Sequence, residues 1–236
     1  MRLPDKSGMC DVRALFGRVA SGYDRANRIL SLGTDVRWRR LALARICDSV
    51  QPRDILDIAT GTADFAIEAA RRFPDARVTG IDFTPAMLDE GNRKVSQAGM
   101  SGRIALVEGD SAALPFAEDS FDLALCAFGF RNFQNRIASL KEAARILHDG
   151  GRLVVLEFFR PRSRLLGSFT SWWLRFASFA FVRGRSAEYA YLRESIGKTC
   201  SVGEFRQEAM AAGFGVEAES LFLPACTCLH LKKMVK

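Results

Sequence analysis

The chain has 236 residues, 48% apolar and 26% charged, a composition that supports one well-buried core and excludes wholesale disorder or a disulfide-dense scaffold. Thirty-four basic against 27 acidic residues give a formal charge of +7, which favours anionic partners without choosing among membrane surface, nucleic acid and acidic ligand. Six scattered cysteines with no C-x-x-C pair, and His148 and His230 as the only histidines, leave no zinc-binding pattern.

The first fifty residues are basic and helix-forming, with Phe16, Val19, Tyr23, Ile29, Leu30 and Trp38 among their large apolar side chains, and the segment ends at Pro52. Met1 to Ser7 is polar and charged without an apolar run, and the cysteines read as free thiols, so a cytoplasmic protein is expected. Ile55 to Ala59 is a short apolar strand leading into Thr60-Gly61-Thr62, and a helix follows from Asp64 to Arg72 until Pro74 breaks it. Arg77 to Phe83 reads as a second strand, Pro85 to Ala98 as a helix and Ile104 to Gly109 as a third strand. Phe121 to Phe128 is a buried strand, Arg136 to Leu147 a helix closed by Gly150 and Gly151, and Arg152 to Phe159 a fifth strand. A helix near Gly203 to Ala212 and two strands, Val216 to Leu223 and Thr227 to Met234, complete the chain. Cys226 and Cys228 alternate along the last strand and therefore share a face.

Strands alternating with helices of this length imply βαβ crossovers, hence a doubly wound α/β domain with a parallel sheet and helices on both faces. The most hydrophobic stretch outside the strands, Leu165 to Val182, is interrupted by Arg175 and flanked by five arginines, so it is not expected to span a membrane.

In open α/β sheets, ligands bind beyond the carboxyl ends of the strands, which directs attention to the loops after Ala59 and Phe83. The turn from Asp57 through Gly61 to Asp64 is built from small residues that let the backbone approach a ligand closely. Asp82, 21 positions after Gly61, stands where a carboxylate can accept both ribose hydroxyls of an adenosine. A dinucleotide needs G-x-G-x-x-G, but the residues here are G-T-A-D-F-A, and Asp64 at the helix start would repel a pyrophosphate. S-adenosylmethionine carries no phosphate and a sulfonium cation, so neighbouring acids favour it. Asp110 and Ser111 supply a third strand-end turn able to hydrogen-bond an adenine edge.

These segments resemble class I S-adenosylmethionine-dependent methyltransferases in DIATGTAD, GIDFTPAML, GDSAALPFAEDSFD and LHDGGRLVVLEF. Within that class the chain resembles the ubiquinone/menaquinone biosynthesis C-methyltransferases. The likeness lies in F-x-x-V-A-x-x-Y-D-x-x-N from Phe16, F-G-F-R-N from Phe128 and E-Y-A-Y-L-x-E-S-I from Glu188. The resemblance implies one Rossmann-like domain with a seven-stranded sheet over residues 1–236. Its parts would be an N-terminal helical cap (1–50), a cofactor-binding core (51–160), a helical aromatic insertion after the fifth strand (161–200) and a C-terminal helix and strands (201–236). It also implies that Thr62, Asp82, Asp110 and Ser111 contact S-adenosylmethionine, alongside Gly61 and Asp57 of the first turn. Arg131, Asn132 and Tyr23 would form the catalytic set facing a polyprenylated quinol.

The implied reaction is C-methylation of demethylmenaquinol, with the benzoquinol of ubiquinone synthesis, or another small apolar acceptor, as the alternative. Ala63 departs from a glycine common in the turn, and Ala127 stands where relatives acting on both rings often have serine, which leans toward menaquinone alone. Arg131 would stabilise the developing phenolate while Asn132 fixes the ring or a water. The aromatic and arginine-rich stretch Ser163 to Arg185 matches the family poorly. It reads either as an interfacial helix at a lipid surface or as a lid or homodimer contact. No nucleic-acid partner is expected, because Phe-Arg-Asn replaces the motif that base-amine methyltransferases carry after the fourth strand.

Overall fold

A computed structural model describes residues 28, 31, 33–46, 51–160, 199–222 and 226–235. Tyr23, most of the helical cap and nearly all of the 161–200 insertion lie outside the described residues. The described elements are, in order, α1 (Asp35–Ala44), β1 (Asp54–Ile58), α2 (Asp64–Arg72), β2 (Arg77–Asp82), α3 (Pro85–Gln97), β3 (Ile104–Glu108) and β4 (Phe121–Ala127). A 3-10 turn (Phe130–Asn132), α4 (Arg136–Ile146), β5 (Leu147–Glu157), α5 (Val202–Ala211), β6 (Phe214–Phe222) and β7 (Cys226–Lys233) follow.

The strands form one seven-stranded sheet in the order β3-β2-β1-β4-β5-β7-β6. The first five run parallel, whereas β7 is antiparallel to both β5 and β6. Only three residues separate β6 from β7, too few for a crossover, so the chain has to turn back and insert β7 between β5 and β6. Strand alternation sorts the core into two layers. Ile55, Leu123, Leu125, Val154 and Leu156 face one side with Trp38 of α1, Phe65 of α2 and Val95 of α3. Leu56, Ala124, Cys126, Leu153 and Val155 face the other with Leu140 of α4 and Phe205 of α5.

Local chemistry explains the boundaries. Pro85 sits at the start of α3, where its missing N–H costs nothing, and Ser201 with Glu204 forms a reciprocal capping box on α5. The largest displacement is at β5, which begins at Leu147 rather than Arg152, while β6 begins two residues early at Phe214. Gly150 and Gly151 do not close a helix. Gly150 adopts φ +77°, the strand is irregular between the pairs Phe121–Leu147 and Leu123–Arg152, and the extra residues are absorbed there. His148 stands exposed as the second residue of β5, directly after Leu147, which caps the C-terminus of α4. Cys226 and Cys228 share a fully buried face, and burial raises both thiols, that of Cys228 to about 12. Burial holds His230 neutral by lowering its pKa to about 4.

Candidate active site at the carboxyl ends of the strands

β1 pairs with both β2 and β4, so the strand order reverses at β1 and the loops after these strands part there. Beyond β1 the backbone enters left-handed space at Ala59 (φ 55°), Gly61 (φ 55°) and Ala63 (φ 65°). An alanine in that region costs about 1 kcal/mol or more. Ala63 is fully buried, and room for its methyl comes from Gly91 of α3, whose own Cβ would lie 3.4 Å from it and 3.4 Å from the Gly61 carbonyl.

Asp57, buried at the end of β1, accepts from the Thr60 hydroxyl at 2.6 Å and the Ala66 N–H at 3.0 Å, both on Oδ2. It thus pins the turn to the first turn of α2. Burial pushes its pKa up to about 7, against the opposing effects of those two bonds and of the Arg39 guanidinium. Asp82 ties the second loop to the first, its Oδ2 accepting from Gly61 N and its Oδ1 from Thr84 N, each at 2.9 Å. Burial raises its pKa, with those backbone bonds opposing. The Thr62 hydroxyl accepts from Lys94 Nζ at 3.0 Å, and the same ammonium pairs with Asp64. That ion pair offsets the Asp64 charge, so the repulsion argued from sequence is not what disfavours a pyrophosphate here.

The lining of the site does disfavour it. A cavity of about 330 Å³ opens beyond β1, β2 and β3, bounded by Ala59, Asp82, Phe83, Asp110, Ser111 and Asn132 among others. A second of about 50 Å³ adjoins it through Ala59, Asp82, Phe83, Asn132 and Phe133 and adds Gly61, Ala127 and Phe128. Among the described lining residues of both there are carboxylates but no lysine or arginine. A diphosphate would meet no counter-charge, whereas a nucleoside carrying a cation suits the pair of acids. Asp110 closes an Asx turn by accepting from Ala112 N at 2.9 Å, and the Ser111 and Ser139 hydroxyls bond each other at 2.9 Å. The residues present therefore fit S-adenosylmethionine: Asp82 for the ribose, Ile81 and Phe83 as apolar walls, and Asp110 and Ser111 at the far rim.

On the β4 side, Gly129 presses against Ala59 so closely that a Cβ there would sit 2.6 Å from the Ala59 methyl. Phe128 is held at φ 59°, a strained backbone for an aromatic residue, and it borders the smaller cavity. Its ring stacks on Phe158 at 5.1 Å, and Arg39 of α1 lies 5.4 Å from its centre. The 3-10 turn then places Asn132 in the walls of both cavities. Arg131 lines neither. Its side chain is 3% exposed and its Nη1 donates to Glu157 Oε1 at 2.6 Å.

Comparison with known proteins narrows the assignment. Residues 4–232 match the sequence pattern of the ubiE/COQ5 methyltransferase family. The chain belongs to that family. Its curated relatives include a demethylmenaquinone methyltransferase of Deinococcus radiodurans, 41% identical over 89% of this chain and 87% of the relative. A protein of the same name from Thermus thermophilus is 40% identical over 88% and 94%. The ubiquinone/menaquinone biosynthesis C-methyltransferase UbiE of Geobacter sulfurreducens is 39% identical over 86% and 80%. Among solved structures, a putative methyltransferase complexed with the Haloferax volcanii Trm112 activator superposes with a TM-score of 0.67 at 18% identity, over 93% of this chain and 98% of that one. A SAM-dependent methyltransferase from Aquifex aeolicus gives 0.62 at 14%, over 89% and 98%. The fold is thus that of class I S-adenosylmethionine-dependent methyltransferases.

Of the residues singled out in the sequence, the ubiE/COQ5 fold brings Gly61, Asp82, Asp110, Ser111, Asn132 and Ala127 to the cavities. Asp57 and Thr62 are buried behind the turn with bonds to Thr60, Ala66 and Lys94, so they support the turn from beneath. Two contributors escaped sequence reasoning. Phe83 lines both cavities, and Glu157, an acid at the end of an apolar strand, is fully buried against Arg131. That last pattern, a carboxylate closing V-V-L-E, was a visible signal, because such a charge is buried only with a partner.

Proposed function

We propose that this protein methylates a ring carbon of a polyprenylated quinol, with demethylmenaquinol as the acceptor and S-adenosylmethionine as the donor. What carries the reading is the near-full-length likeness to chains named demethylmenaquinone methyltransferase, set on a site whose larger cavity holds Asp82 and Asp110 and whose smaller neighbour shares Asp82 and adds Met87 and Phe128.

When bound, S-adenosylmethionine supplies a methyl group already activated by its sulfonium, so the protein's main task is alignment and dryness. Asp82 accepts the ribose hydroxyls with the lone pairs left after Gly61 and Thr84, and Phe83 walls the base. Phe128 and Phe133 give the smaller cavity apolar walls on the side from which the acceptor ring would approach. Asn132, in both walls, orients the ring or a water beside it. Arg131, its neighbour in the chain, lines neither cavity and spends its charge on the buried Glu157, so it serves the acceptor side by holding the turn that carries Asn132 rather than by facing the quinol as the sequence suggested. Ala127 offers a methyl rather than a hydroxyl to the smaller cavity, which supports an apolar bicyclic ring.

No helix among the described residues is long and apolar enough to cross a membrane. A prenylated acceptor must nevertheless be drawn from a bilayer. The proposal therefore includes peripheral contact with a lipid surface through residues 163–185, whose arginines and aromatic rings suit an anionic interface. Expression in a menaquinone-making bacterium stripped of its own final methylation step tests the reading. The wild type should restore menaquinone and Asp82→Asn should restore little; accumulation of demethylmenaquinone with well-expressed wild-type protein would refute it.

A further inference from the structure

We propose that Glu157 is the positioning residue of the acceptor side, fixing both the direction of the Arg131 guanidinium and the place of Asn132; this rests on the function proposed above. Glu157 ends β5 and is 0% exposed. A buried carboxylate is costly unless every oxygen is partnered, and this one takes three donors. Oε1 accepts from Arg131 Nη1 at 2.6 Å and from Phe158 N at 2.9 Å, and Oε2 from Arg131 N at 3.1 Å.

Two of these donors belong to one residue. A side-chain bond alone would orient the guanidinium, and a main-chain bond alone would anchor the loop. Together they make the end of β5 the template for the 3-10 turn Phe130–Asn132. The turn is closed internally by Asn132 N donating to the Gly129 carbonyl at 3.0 Å. Its first residue is fastened on the opposite side, where Phe130 packs edge-on against Phe205 at 4.8 Å in the core. With Phe130 held by the core and Arg131 by Glu157, the next residue, Asn132, has its position set in the wall of both cavities. Glu157 lines neither cavity and acts only through these neighbours.

Glu157→Gln tests the assignment with little change in shape. Both carboxylate oxygens receive N–H groups, so wherever the glutamine amide nitrogen lies it opposes a donor. The variant should lose about 10²-fold in kcat, the cost of shifting an orienting group such as Asn132 by about 1 Å. Its Kd for S-adenosylmethionine should stay within about threefold, because Asp82 and its loop are untouched. Glu157→Asp, which keeps the charge but retracts it by one methylene, should recover part of the rate. Amide exchange of the 128–133 backbone should quicken in Glu157→Gln while that of 54–97 does not.

Wild-type kcat in Glu157→Gln would overturn the proposal, as would equal loss of kcat and cofactor affinity, the mark of a merely structural ion pair. Should Glu157→Gln fail to fold, the same comparisons are read from Glu157→Asp. Should the wild type methylate no quinol, the functional reading falls and the exchange measurement decides alone: unchanged exchange at 128–133 overturns the positioning role, and faster exchange there upholds it.

Discussion

Replacing Asp57 with asparagine should flatten the dependence of stability on pH. The carboxyl is fully enclosed, and burial lifts its pKa from an ordinary 3.8 to about 7. The native state therefore binds this proton more tightly than the unfolded chain between those two values. Stability from this group is fully present below pH 4, declines as pH rises, and is gone above pH 7. At roughly 1.4 kcal/mol for each tenfold change in proton affinity, the swing is on the order of 4 kcal/mol. Asparagine can keep its oxygen where Oδ2 now accepts from Thr60 and Ala66, and any penalty of its amide nitrogen is independent of pH. Urea unfolding of both proteins, followed by tryptophan fluorescence from pH 4 to 8.5, gives the difference directly. Wild-type stability measured against the variant should fall by about 4 kcal/mol across that range. Other raised acids are present in both proteins, and the only remainder expected from Asp82 is its repulsion with Asp57, the smallest of the causes acting on that carboxyl. Curves that run parallel to within about 0.5 kcal/mol would refute the reasoning.

Asp82→Asn should weaken S-adenosylmethionine binding about 10- to 100-fold in calorimetry, the range for losing hydrogen bonds to a charged group, and unchanged affinity would remove Asp82 from the cofactor site. Gly129→Ala should lower stability by about 1–3 kcal/mol, because its Cβ would stand 2.6 Å from that of Ala59; an unshifted melting temperature would mean that the β1 and β4 loops can separate freely. Breaking the exposed Arg160–Glu204 pair with Arg160→Gln should leave the melting temperature unshifted, and a clear drop would show that this side-chain contact couples the end of β5 to α5.

Most elements were legible because their patterns were local. Short apolar runs marked β1 to β4, Pro74 and Pro85 bounded helices, and the last helix was expected near Gly203 to Ala212, one residue from where α5 lies. The start of β5 was not legible, since Gly150-Gly151 after a helical stretch signals a helix end as readily as a strand irregularity, and only pairing with β4 distinguishes them. The cofactor side was readable for the same reason as the strands: Asp82, Asp110 and Ser111 sit at strand ends, where topology alone delivers them to one cavity. Asp57 and Thr62 lie within the same short turn, yet side-chain direction, set by Thr60, Ala66 and Lys94, puts them beneath it. The Arg131–Glu157 pair spans 26 positions and depends on two strand ends meeting, which no local pattern encodes.

The central claim is tested most directly by giving purified protein methyl-labelled S-adenosylmethionine with reduced demethylmenaquinol and, in parallel, with the corresponding demethylated benzoquinol, and locating the label by mass analysis. The account predicts label on the naphthoquinol ring carbon, with little on the benzoquinol. Cofactor binding with no label on either ring would contradict it.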